Sequence, residues 1–301
     1  MSRTSESQIQ HRLDLLIQLI RQDPGRRGFS TEIPAEDLTI AALKLIHHQR
    51  ILIVTGFCVL GPMAGETDGP PGALVLADAL HKMGKEVVLV TDQYSSFLLK
   101  AGLTCYATDL EIHVIPHHQE TADDEMLQLI DAFRPEHVIA IERPGKSSDG
   151  HSYSMRGEKL DHVIPQLDLL FDPPGDRSYV TTAVGDGGNE MGMGKVYDFI
   201  KHHVHLGKTI GCVTKADYVI PAGISNWAAY GLSAALSLLS RQNLLPLPGT
   251  EKCVLEKMVQ AGAVDGCTKK REVSVDGVTL DLYLGVIDEI TSLVHEVLSD
   301  D

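Results

Sequence analysis

Apolar positions along the chain fall into two kinds of stretch. Short, continuous β-prone runs at 51–56, 86–90, 111–115, 137–141, 180–182 with Val184, and 209–213, followed by a shorter one within 217–223, read as strands buried on both faces of a sheet. Between them, apolar residues spaced three and four apart predict helices over 35–48, 73–83, 94–101, 123–133, 160–171, 191–206, 228–239, 252–261 and 283–298. An opening helix is marked by Ile9, Leu13, Leu16, Ile17 and Ile20, and Asp276-Gly277 between two short runs predicts a tight hairpin. Strands and helices in this alternation predict an α/β fold, a Rossmann-like three-layer sandwich with a mostly parallel central sheet. The 301 residues are expected to form one domain, with 1–49 as a helical segment packed on it.

In such a sheet, ligands bind outside the carboxyl ends of the strands. Acids follow several of the predicted strands: Glu66 and Asp68 beyond the first, then Asp92, Glu142 and Asp186. The richest of these strand ends is VTTAVGDGGNEMGMG at 180–194, read as strand, glycine turn and helix, with Asp186, Asn189 and Glu190 among the glycines. Convergence of these ends would create one acidic pocket. A plainer reading stands beside each residue. Glu66 and Asp68 could simply cap the helix that Pro70-Pro71 opens, and Ser225 or Asn226 could do the same for the following AAYGL helix. Arg26 and Arg27 sit in a polar turn that could reach an anionic substrate or stay solvated, and His113, His117 and His118 read as loop residues without metal-ligand spacing. The polar loop 146–155 reads as a lid or substrate loop.

A formal net charge of −15 argues against nucleic acid and anionic membranes as partners, so a small-molecule substrate is expected, with a homo-oligomer left open. No apolar run approaches a membrane span, and the amphipathic, acid-containing N-terminus resembles neither a signal peptide nor a transit peptide. Five scattered cysteines without a CxxC pair suggest no disulfide framework and no structural zinc, and a reducing, cytoplasmic location is expected. The GxGxxG of a dinucleotide site is absent after the first strand.

The blocks ETDGPPGA (66–73), IERPG (141–145), VGDGGNEMGMGKV (184–196) and AGISNWAAYGL (222–232) resemble the C-terminal domain of the D-glutamate cyclase family. The resemblance implies conversion of D-glutamate to 5-oxo-D-proline with loss of water, requires no cofactor, and makes the mitochondrial matrix an alternative location. For that chemistry the residues suggest Glu66 or Asp68 as base and Asp186 or Glu190 as proton donor. The amides of Gly187 and Gly188 are expected to form an oxyanion site. Glu142, Arg143 and Lys195 are expected to contact the substrate, the two cations holding its carboxylates, while Asn189, Ser225 and Asn226 orient it. An alternative puts Mg²⁺ or Mn²⁺ on Glu66, Asp68, Asp186 and Glu190, acting on a phosphorylated or nucleotide ligand. A third is an amino-acid-binding protein without turnover.

Overall fold

The computed structural model describes residues 3–25 and 27–299, so Arg26 lies outside the described residues. Six strands form the central sheet: β1 (Arg50–Thr55), β2 (Glu86–Thr91), β3 (Glu111–Val114), β4 (His137–Ile141), β5 (Val180–Gly185) and β6 (Tyr218–Pro221). Their spatial order is β3-β2-β1-β4-β5-β6, and every neighbouring pair is parallel. The expected three-layer α/β sandwich is therefore present, with a sheet that is wholly parallel. Side chains alternate between its faces, as the period of two requires. Ile51, Ile53, Leu89, Ile139, Ile141 and Val184 enter one core, while Leu52, Val54, Val88, Val90, Val138 and Ala183 enter the other.

The first core is roofed by α1 (Arg3–Ile20), α2 (Asp37–His47), α3 (Pro70–Lys82), α7 (Ser225–Ser240) and α9 (Leu280–Ser299). The other face carries α5 (Gln119–Phe133) and α6 (Tyr197–His203), while α4 (Ser96–Leu103) and α8 (Thr250–Ala261) pack together beside the first. Among the described residues no helix is long and apolar enough to cross a membrane. The hairpin at Asp276-Gly277 forms as expected, with φ of 54° and 76° at its two turn residues joining Ser274–Val275 to Val278–Thr279.

Four expectations are corrected. Residues 160–171 are not a helix; only Asp168–Leu170 makes a 3₁₀ turn, because Pro165 removes an amide donor and its carbonyl is taken by the Arg143 guanidinium at 2.6 Å. Residues 209–213 are not a strand. A helical turn, Gly207–Ile210, precedes Cys212 and Val213, whose amides bond to Gly188 and Lys146 carbonyls. The glycine block does not feed directly into a helix, since Gly192 has φ of 99° and the chain runs irregularly until a 3₁₀ turn, Gly194–Val196, leads into α6. Finally, Cys105 and Cys253 form a disulfide between the end of α4 and α8, with Cα atoms 6.1 Å apart. A separation of 148 residues hides such a pair from any local spacing rule, and the inference of a reducing compartment loses its support.

Candidate active site

The strand order reverses direction of growth between β1 and β4, the place where open α/β sheets bind ligands. A cavity of about 230 Å³ opens there, lined by Phe57 and Cys58 beyond β1, Glu142 beyond β4 and Asp186 beyond β5. Glu66, Arg27, Asp276 and the loops around Met155 and Cys267 complete the wall. The acids lie deep: Glu66, Glu142 and Asp186 are 7%, 6% and 3% exposed.

Local structure explains how each acid is placed. Asp68 precedes α3 but caps α7, accepting the Ser225 amide on one oxygen and the Asn226 amide on the other, both at 2.9 Å. Asn226 returns the arrangement: its Oδ1 accepts the Gly69 and Gly72 amides at 3.0 and 2.8 Å, capping α3, while its Nδ2 donates to the Thr67 carbonyl. Two helix N-termini thus satisfy each other's unpaired amides in a buried place. Ser225 Oγ then donates to Glu142 Oε2 at 2.6 Å. Glu142 stands at φ of 48°, and Gly69, at 93°, allows its approach: a Cβ on Gly69 would sit 2.7 Å from that of Glu142.

Burial raises the pKa of Glu66 well above the carboxylate range, reinforced by the charges of Asp276 and Asp68. Glu142 moves the same way through burial and then the neighbouring Glu190 and Asp68. Asp68 is pushed up to about 8 by burial and Asp276, against the amides of Asn226 and Ser225. Asp186 is also raised by burial, opposed by its ion pair with Arg27. Among the described residues no hydrogen bond or ion pair reaches the Glu66 carboxyl. Oxygens of Asp68, Glu142 and Asp186 lie within 4.8 Å of one another, a set of hard ligands that could hold a divalent cation. Cations stand further out: Arg27 has a 23% exposed side chain, Lys269 is half-buried and Arg156 is exposed. The floor of the pocket is acidic, and its mouth carries the cations Arg156 and Lys269 with Glu158 beside them.

Residues 16–291 match the family model described as D-glutamate cyclase-like, C-terminal. The chain belongs to this D-glutamate cyclase-like family. It is 34% identical over 236 residues to the human protein named D-glutamate cyclase, mitochondrial, covering 73% of this chain and 38% of that protein's length.

Within the D-glutamate cyclase-like fold, several expected substrate contacts are engaged in the scaffold instead. Arg143 is wholly buried and is bound by Asp92, the Gly56 carbonyl and the Pro165 carbonyl, so it braces the strand ends rather than facing the cavity. Lys195 projects elsewhere, pairing with Asp37 at 2.6 Å and the Asp217 carbonyl. The amides of Gly187 and Gly188 are already taken by Glu190, whose carboxylate accepts them at 2.6 Å each and the Asp186 amide at 3.0 Å. Glu190 is therefore the clasp of the glycine turn, and an oxyanion site on those amides has no unoccupied donor. Asn189 donates to the Tyr153 carbonyl, and Asn226 is spent on its cap. Glu66, Glu142 and Asp186 remain as cavity acids, with Asp68 and Ser225 directly behind them.

Sequence reading missed Asp276, Cys267, Arg156 and Lys269 as site residues, and left Arg27 between a contact to an anionic substrate and a solvated turn. Asp276 reaches the pocket because the 264–276 segment is pinned to the Glu66 block, through Thr67 to the Val264 carbonyl and Thr67 Oγ1 to the Ser274 carbonyl. Arg27 arrives on a turn held by Asp23, which accepts the Arg27 and Gly28 amides. Nothing local marked either, since residues 265–276 carry as many bases as acids.

Proposed function

We propose that the chain converts D-glutamate to 5-oxo-D-proline and water. The observation that carries this reading is the charge layering of the pocket, buried acids below and cations at the opening, which suits an amino acid presenting its ammonium inward and a carboxylate outward. Family membership supports the same substrate. Cyclisation forms a bond from the α-nitrogen to the γ-carboxyl carbon and breaks one C–O bond there. The ammonium gives up two protons, and the departing carboxylate oxygen leaves with both as water. Glu66, which no described residue bonds, takes the proton that frees the amine for attack; burial favours its neutral form, and the substrate ammonium beside it favours the ionised form that can accept that proton. Glu142, kept neutral by burial and aligned by Ser225, protonates the leaving oxygen. Holding amine and carboxyl in contact within a small cavity supplies much of the rate.

The purified chain, incubated with D-glutamate, is expected to release 5-oxo-D-proline. Glu66→Gln is expected to lower kcat by about 10²-fold or more, the scale of a lost general base. Unchanged turnover in Glu66→Gln would remove the proton-transfer assignment. Binding of D-glutamate with no 5-oxoproline would make the protein a binder. The trio Asp68, Glu142 and Asp186 favours a second reading, in which Mg²⁺ or Mn²⁺ sits on these oxygens and polarises the substrate. Activity that survives exhaustive chelation eliminates it.

A further inference from the structure

Two loops face each other across the mouth of the cavity, and each is fixed at its base by a buried polar group. In the first, Ser154 Oγ accepts the Arg156 and Glu158 amides at 3.2 and 3.3 Å. In the second, Asp265, fully buried, accepts the Cys267 and Thr268 amides at 2.8 Å and also the Ser274 hydroxyl and Gly277 amide. The contacts that join the loops run crosswise, and among the described residues there are two. Arg156 Nη2 reaches over to the Cys267 carbonyl at 2.9 Å, and Lys269 Nζ reaches back to Glu158 at 3.7 Å. Arg156 has no carboxylate partner among the described residues, and its Nε and Nη1 bond to none of them. Lys269 is held at φ of 60°, a conformation a side-chain-bearing residue adopts only under constraint from its surroundings.

Arg27, the other cation of the wall, already faces the two carboxylates Asp186 and Asp276 and so offers no net positive charge to an anion. Arg156 has only a carbonyl partner among the described residues, and with Lys269 facing Glu158 the two cations together keep one net positive charge. We infer that Arg156 and Lys269 form a two-sided clamp for the α-carboxylate of the substrate, each exchanging its cross-loop contact for the ligand. This rests on the reading that the substrate is an acidic amino acid. Cyclisation consumes the amine and the γ-carboxyl, which must therefore lie among the deep acids; the α-carboxylate is the one charged group left to face outward. A guanidinium from one loop and an ammonium from the other would then both hold the substrate and draw the mouth closed over it.

Calorimetric titration in the cold, where turnover is slow, compares D-glutamate with its α-amide on the wild-type chain and on the double variant Arg156→Gln, Lys269→Gln. Wild type is expected to prefer D-glutamate on the order of tenfold or more, and the double variant to bring that ratio close to one, with Arg156→Lys keeping part of it. A variant that weakens both ligands by the same factor, or a wild type that does not discriminate, overturns the clamp. Turnover is measured separately: discrimination without 5-oxoproline removes the proposed reaction alone, and turnover with an unchanged affinity ratio removes the clamp alone.

Discussion

Glu66 and Asp68 stand two residues apart in one block, yet their carboxyls have opposite surroundings. Asp68 accepts amides from the start of α7 and from Gly69, whereas Glu66 faces the cavity without a partner among the described residues. Which acid caps and which is available for proton transfer depends on residues almost 160 positions away, so the two alternatives could not be separated from the sequence. Another buried acid lies outside the pocket. Glu251 accepts the hydroxyls of Tyr230 and Tyr283, and burial pushes it up to about 7 from an ordinary 4.5, partly offset by those hydrogen bonds. Because the folded-state value exceeds the unfolded one, the folded protein holds a proton that the unfolded chain releases between those two pH values. This group's stabilising contribution is complete below about 4.5 and declines as pH rises to about 7. At about 1.4 kcal/mol per pKa unit the decline is roughly 3 kcal/mol. Glu251→Gln, which mimics the protonated acid, is expected to flatten denaturant-measured stability across that window; a pH dependence identical to wild type would contradict the assignment.

At the scale of elements, the central relation is the reciprocal capping of α3 and α7. Proline at the first positions of α3 and a Ser-Asn pair opening α7 were legible as helix starts. That each helix borrows its cap from the other was not, since capping rules look a few residues along the chain and these partners meet only through packing. Asn226→Ala removes the acceptor for two amides and the donor to Thr67 in a fully buried setting. The expected loss is about 3 kcal/mol, read as a lower denaturation midpoint with an unchanged slope. A loss below about 0.5 kcal/mol, the level of an ordinary surface substitution, would show that water replaces the cap. The same limit of local reading explains 160–171 and 191–206, where helical spacing was present but Pro165 and Gly192 broke the backbone, and the freed groups found partners on other segments.

Across the whole molecule, the disulfide ties α4 to α8 at the flank of the sheet. Closing so long a loop restricts the unfolded chain, and its reduction is expected to lower stability by about 2–4 kcal/mol, detected as a fall in Tm on adding a thiol reductant. No change in Tm after thiol counting confirms reduction would mean that the helices hold their packing unaided. The alternation of strand and helix and the mostly parallel sense of the sheet followed from the sequence, because periodicity is a local property of a chain that buries apolar groups. That acids at strand ends would share one edge followed from topology alone. Tertiary structure decided the rest: that Arg143 and Glu190 serve the scaffold, that Arg27 and Asp276 enter the pocket, and that Cys105 meets Cys253. Hydrogen bonds, ion pairs and desolvation act over a few ångströms of space without regard to separation along the chain, and only the folded arrangement says which groups fall within that reach.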